Sequence, residues 1–188
     1  MKIIKNCIFA AIFISFGVMV LLTANKILGP LLFSFGLLGV CYFQADLFTG
    51  KAGYYWKNEK LKLLKILLIN LTSGYILGFL FSLVNSDLIL IAQEKVMTWD
   101  FSLSYFLKSI FCGMTMYICV NEYKENNSII GILYGVPLFI FCGFQHSIAN
   151  IIILGVARTF SWTIIICILG NLLGSIIINL LDSKEKEK

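Results

Sequence analysis

Polar residues in this chain do not recur at the spacing of an amphipathic helix or strand; they collect in short interruptions between long apolar runs. Six runs can be traced, at 6–24, 27–57, 63–84, 101–120, 128–157 and 160–181. A helix needs about 20 apolar residues to cross a bilayer, so each run suffices for one crossing. The second and fifth are 31 and 30 residues long, more than one crossing uses. Each is interrupted by polar side chains, Gln44 and Asp46 in the second and Gln145, His146, Ser147 and Asn150 in the fifth. In both places this predicts a helix, an irregular loop near the midplane and a second, short helix, with Gly50 and Gly53 suited to irregular backbone. The predicted fold is an all-α membrane protein of six transmembrane helices, the second and fifth broken.

The remaining punctuation fits that layout. The third run carries Asn70, Thr72, Ser73, Gly74 and Gly78, small residues that permit close helix contact. Residues 85–100 make the longest polar connection, with Glu94, Lys95, Trp99 and Asp100, and residues 121–127 close the fourth run. Arg158 and Thr159 turn the fifth run into the sixth, and a charged tail occupies 182–188.

Composition identifies the solvent. With 59% hydrophobic and 13% charged residues and a mean hydropathy of +0.90, the chain cannot cover itself with polar surface in water. The lipid bilayer is the expected environment, and a single transmembrane domain spans 1–188. The first run, behind Lys2 and Lys5, is too long an apolar core for a cleaved secretory signal. The net charge of +5 comes from lysines between runs and not from a basic patch interleaved with exposed aromatics, so nucleic acid is set aside. Lys2, Lys5, Lys51, Lys57, Lys60, Lys62, Lys65, Lys124, Lys184, Lys186 and Lys188 fall on one side of a six-crossing layout. Only Lys26, Lys95, Lys108 and Arg158 fall on or near the other. The excess of positive charge places both termini in the cytoplasm of a multi-pass protein of the cell (inner) membrane.

The two interrupted runs also align with each other. Tyr42-Phe43-Gln44-Ala45-Asp46 matches Gly143-Phe144-Gln145-His146-Ser147 at an offset of 145 − 44 = 101. Asn70-Leu71 matches Asn171-Leu172, and Lys57 falls opposite Arg158, at the same offset. Each half, about 6–84 and about 101–181, thus reads as three crossings with a broken middle one, and an odd number per half makes the halves inverted. Inverted repeats with paired broken helices point to a transport site at the midplane.

Chemistry concentrates at Gly143-Phe144-Gln145-His146-Ser147-Ile148-Ala149-Asn150, which holds the chain's only histidine. Hydrocarbon offers no hydrogen bonds, so polar groups there must find internal partners or line water. Together with Asp46-Leu47-Phe48-Thr49-Gly50, Gly170-Asn171-Leu172-Leu173-Gly174 and the Arg158 turn, this stretch resembles the formate/nitrite transporter family over nearly the whole chain. The resemblance implies a homopentamer in which each subunit passes a small monovalent anion such as formate, nitrite or hydrosulfide, alone or with a proton. It implies His146 as the central polar gate, Thr49 facing it and Asn150 hydrogen-bonding nearby, with Phe33, Leu37, Phe48 and Phe139 as apolar constrictions. Helical spacing alone would also make those four ordinary core residues. Family members usually carry Glu where this chain has Gln145, and Asn where it has Tyr117; a lysine before the fourth span is matched imperfectly by Lys95. These departures bear on which anion passes.

A mechanism follows from physical chemistry. Half-helices that begin at midplane loops aim partially positive N-termini at the centre, where an anion regains what it lost from water. Histidine, which titrates near neutrality, can donate a hydrogen bond or a proton there. Gln145 leaves the surroundings less negative than a carboxylate would. Lys51, beside the second half-helix, either raises the local anion concentration or snorkels to the headgroups. The cysteines, without a CxxC spacing, read as packing residues, and with one histidine neither a zinc nor a bis-imidazole haem site is predicted, so no cofactor is expected. Enzyme is the least favoured class. The alternative from another class is the substrate-binding membrane subunit of a vitamin importer, which needs ATPase partners.

Overall fold

The structure, a computed structural model, describes residues 1–182. Of the charged tail read at 182–188 only Asp182 is among them; the rest of that reading, with Lys184, Lys186 and Lys188, lies outside the described residues. The described residues form nine helices and no strand. Four are long and apolar enough to cross a membrane: α1 (Lys2–Thr23), α4 (Lys60–Val84), α6 (Leu103–Asn126) and α9 (Thr163–Leu181). At 1.5 Å per residue they extend about 28 to 38 Å, against a hydrocarbon core of about 30 Å.

The two overlong runs are each divided. The second becomes α2 (Leu28–Tyr42) and α3 (Phe48–Tyr55), joined by an irregular link at 43–47. The fifth becomes α7 (Ile130–Phe141) and α8 (Ser147–Val156), joined at 142–146. Gly50 and Gly53, read as irregular backbone, instead lie inside α3. Gly53 is there for space, because a Cβ would meet the Tyr117 ring. The connection at 85–100 is also more ordered than its polarity suggested. It holds α5 (Asp87–Met97), which buries Leu88 and Ala92 one turn apart, and Gln93 Nε2 donates to the Ala157 carbonyl at 3.1 Å.

Close helix contacts follow the small residues. Helix α6 packs along α9, and α4 along α8. A Cβ on Gly113 would fall on the Asn171 backbone, and one on Gly78 would fall on the Ile152 backbone. These contacts bring α8 to the centre, where all ten of its residues are buried. Large apolar side chains such as Phe35, Leu68, Leu83, Ile118 and Leu169 face outward instead, the surface expected of a protein solvated by lipid or by copies of itself.

Candidate functional site

The two links share one backbone pattern. Gln44 and Gly143 both take a left-handed conformation, with φ of 51° and 68°. The Ala45 N–H donates to the Val40 carbonyl, and the Phe144 N–H to the Phe139 carbonyl. The Lys51 N–H reaches the Leu47 carbonyl, and the Asn150 N–H the His146 carbonyl. Every one of these pairs is related by 143 − 44 = 99, not by the 101 that the residue letters suggested. The offset of 101 holds outside the links, for Asn70 and Asn171, and the difference is taken up because α8 has 10 residues where α3 has 8. The repeated Phe-Gln letters are therefore out of register with the backbone they sit on. Asp46 corresponds to Gln145, Leu47 to His146 and Thr49 to Ile148.

Each link is held by one buried asparagine. Asn70 Oδ1 accepts the Phe48 N–H at 2.8 Å, while its Nδ2 donates to the carbonyls of Asp46 and Cys7. Asn171 Oδ1 accepts the Ser147 N–H at 2.8 Å, while its Nδ2 donates to the carbonyls of Gln145 and Ser109. A helix start leaves N–H groups without partners in its first turn, and buried ones are costly to leave unpaired. Each asparagine satisfies one such N–H, that of Phe48 or that of Ser147.

These two helix starts put His146 against Thr49. His146 is the N-cap of α8, and its Nδ1 accepts the Ala149 N–H at 3.0 Å. A ring nitrogen that accepts carries no proton, so the neutral imidazole holds its hydrogen on Nε2. That nitrogen lies 2.9 Å from Thr49 Oγ1, which therefore accepts and keeps its own hydrogen to donate elsewhere. Both residues are buried. The Phe139 ring stacks on His146 with centroids 5.9 Å apart, and Phe33 meets Phe139 edge-on at 5.9 Å. Ser147 Oγ, beside His146, is buried without a hydrogen-bond partner among the described residues.

A model of the family described as formate/nitrite transporter matches residues 1–183. The chain belongs to the formate/nitrite transporter family. Two solved structures show the same fold. One, titled "Pentameric formate channel with formate bound", has a TM-score of 0.74 at 19% identity, covering 99% of this chain and 95% of that one. The other, titled "FNT family ion channel", has a TM-score of 0.79 at 16% identity, covering 96% and 88%. No curated protein matches the sequence. As a member of this family with several long apolar helices, the chain is a multi-pass membrane protein.

Within this formate/nitrite transporter fold, the residues flanking the centre differ between the links. Next to His146, Asn150 Nδ2 donates to Gln145 Oε1 at 2.9 Å and to the Tyr105 hydroxyl at 3.1 Å. At the corresponding positions of the first link, Lys51 Nζ lies 3.7 Å from Asp46 Oδ1. Lys51 and Leu47 line a cavity of about 560 Å³, together with Tyr54, Tyr55, Tyr123 and Lys124. Lys51 thus faces space beside the link, paired with a carboxylate that its reading as a lone lysine left out.

The structure brings His146, Thr49, Phe139 and Phe33 together, and sets Gln145 and Asn150 beside them. Leu37 and Phe48 are buried in the core. Tyr117 is elsewhere, stacked on Tyr54 at 5.0 Å with its hydroxyl toward Asn179 and Asp182. Lys95 sits on α5 and is exposed. Sequence reasoning placed Asp46 and Leu47 in the first interrupted stretch without giving either a role, and it missed Tyr105 altogether. For Leu47 the signal was its place immediately before Phe48 and Thr49; for Tyr105, on a different run, no signal existed. Of the cysteines, Cys7, Cys112, Cys119 and Cys167 are buried as expected, whereas Cys142 is exposed at the second link.

Proposed function

We propose that this chain is a membrane channel for a small monovalent anion of the formate, nitrite or hydrosulfide class, with its path running past the His146–Thr49 contact. The carrying observation is that 2.9 Å contact, which joins the first turns of α3 and α8. Partial positive charge at two helix N-termini converges there, offsetting the cost of taking an anion out of water. Thr49, accepting from His146 Nε2, directs its own hydroxyl hydrogen to the anion, and Ser147 supplies a further unpaired hydroxyl. Phe33 and Phe139 form the apolar constriction on one side of the centre, with Leu37 and Phe48 in the remaining constriction positions. Gln145 and Asn150 leave the surroundings of His146 neutral, so no fixed carboxylate beside it repels the anion.

The geometry favours hydrogen-bond donation over proton donation by His146. Its Nδ1 caps α8 and is unprotonated, so loss of the Nε2 hydrogen would leave an anionic ring in an apolar site. A proton that accompanies the anion comes from the aqueous mouths. Six crossings arranged as two inverted halves, with α2–α3 and α7–α8 as the broken ones, fit the matched links. The distribution of lysines supports cytoplasmic termini, and the outward apolar faces and the pentameric neighbour support a ring of five, each subunit with its own path.

The test is formate and nitrite flux in proteoliposomes holding only the purified chain. Flux without nucleotide or partner is expected, together with loss of most of it in His146→Phe, which keeps the aromatic bulk. Absence of flux in the parent would overturn the channel reading and favour the importer subunit; full flux in His146→Phe would leave His146 a packing residue.

A further inference from the structure

The two links carry the same backbone and different charge. At one, Gln145 and Asn150 form a neutral amide pair; at the corresponding positions of the other, Asp46 and Lys51 form an ion pair. The ion pair is loose, at 3.7 Å, and the lysine side chain keeps 29% of its exposure against 13% for the aspartate. Lys51 also borders the cavity of about 560 Å³, whose walls include Leu47 and Tyr55. The other ammonium on that wall, Lys124, is engaged over the Tyr54 ring at 4.1 Å and lies 3.8 Å from Glu125.

We infer that Asp46 and Lys51 make an anion entry site on one side only of the His146–Thr49 centre, so that permeation depends on direction. The inference rests on the channel reading above. An anion entering the cavity exchanges with Asp46 as partner of the Lys51 ammonium before it passes Leu47. An unopposed ammonium beside the path would hold an anion too long, and conduction needs sites that bind and also release. Asp46 supplies the competing partner. On the amide side the equivalent positions carry no fixed ion, so no ammonium stands there to exchange an anion at the link. A loosely paired, partly exposed ammonium beside the cavity raises capture from its own side, and salt screens the effect, over about 30 Å at 0.01 M and about 3 Å at 1 M.

The experiment uses the full chain in bilayers with a single orientation and formate as the anion, comparing flux in the two directions under mirrored gradients. In the parent, flux from the Lys51 side should exceed the reverse by about threefold or more at low salt and approach it at 1 M. Lys51→Asn, which installs the residue type found at position 150, should bring the ratio to about one at every salt. Asp46→Asn should lower the half-saturating formate concentration from that side by about threefold or more and also lower the maximal rate. The Asp46→Asn/Lys51→Asn double variant removes both charges without stranding either, and should match Lys51→Asn in ratio even if a single variant fails to fold. A parent that conducts with equal flux in both directions at low salt, or a ratio that survives the double variant, overturns the inference while the channel stands. A parent that carries no formate overturns the channel reading itself.

Discussion

The link at 43–47 and the link at 142–146 are built to one plan and furnished differently. Both turn through a left-handed residue, both close onto the last turn of the preceding helix, and both hang from a buried asparagine on a long helix. Only the second presents an imidazole. Leu47 stands where His146 would be, and Ile148 stands where Thr49 would be. The polar centre is therefore assembled once, with the histidine from one half and the hydroxyl from the other. Neither link alone holds both groups.

The comparison can be broken most forcefully at the asparagines. Asn70→Ala and Asn171→Ala each delete an acceptor and two donor contacts of a fully buried side chain. Each should cost on the order of 3 kcal/mol, read as a lowered thermal unfolding midpoint in detergent. Equal costs are expected; a variant that unfolds like the parent would show that its link stands without the latch.

The next effect concerns the shared centre. Thr49→Val removes the hydroxyl that His146 Nε2 meets while keeping the shape, and should lower anion flux by about tenfold, the worth of one well-placed hydrogen bond. Parental flux in this variant would separate the contact from transport. Leu47→His in a His146→Leu background should not restore flux, because the transplanted ring would face Ile148; recovery would refute the account of a site split between halves.

Smaller still is the change at Ser147, whose counterpart is Phe48. Ser147→Ala should lower flux severalfold if its unpaired hydroxyl serves the anion. A more stable protein with parental flux would mark that hydroxyl as an orphan with no role. The smallest effect lies at the turn itself, where Gln44 and Gly143 adopt the same left-handed backbone. Gln44→Gly should stabilise by about 0.5 to 1 kcal/mol and Gly143→Ala should destabilise by a similar amount. The same unfolding measurement checks both, and effects of the reverse sign would mean that side-chain contacts outweigh backbone conformation there.

Much of this molecule was legible in advance because its solvent is apolar. Long apolar runs must become helices when the backbone has no water to bond to, and two runs longer than a crossing announced where the chain is interrupted. His146 stood out for the same reason: it is the chain's only histidine, set with Gln145, Ser147 and Asn150 inside an otherwise apolar run, where polar side chains are expensive. The register between the halves was not legible. Phe43-Gln44 and Phe144-Gln145 match as letters, yet the left-handed residues and link hydrogen bonds match two positions away, since a turn is defined by backbone torsions and not by its side chains.

The sequence by itself determined the environment, the long helices, the places of interruption and the residue around which the polar centre forms, because burial in a bilayer is decided locally by hydropathy and length. Only the tertiary structure decided which side chains meet. Thr49 reaches His146 from 97 residues away, Asn70 and Asn171 reach the links from the following long helices, Tyr105 reaches Asn150 across 45 residues, and Lys51 finds Asp46 beside a cavity. Such partnerships arise where separate helices pack at close range through small residues, and local propensity carries no record of them.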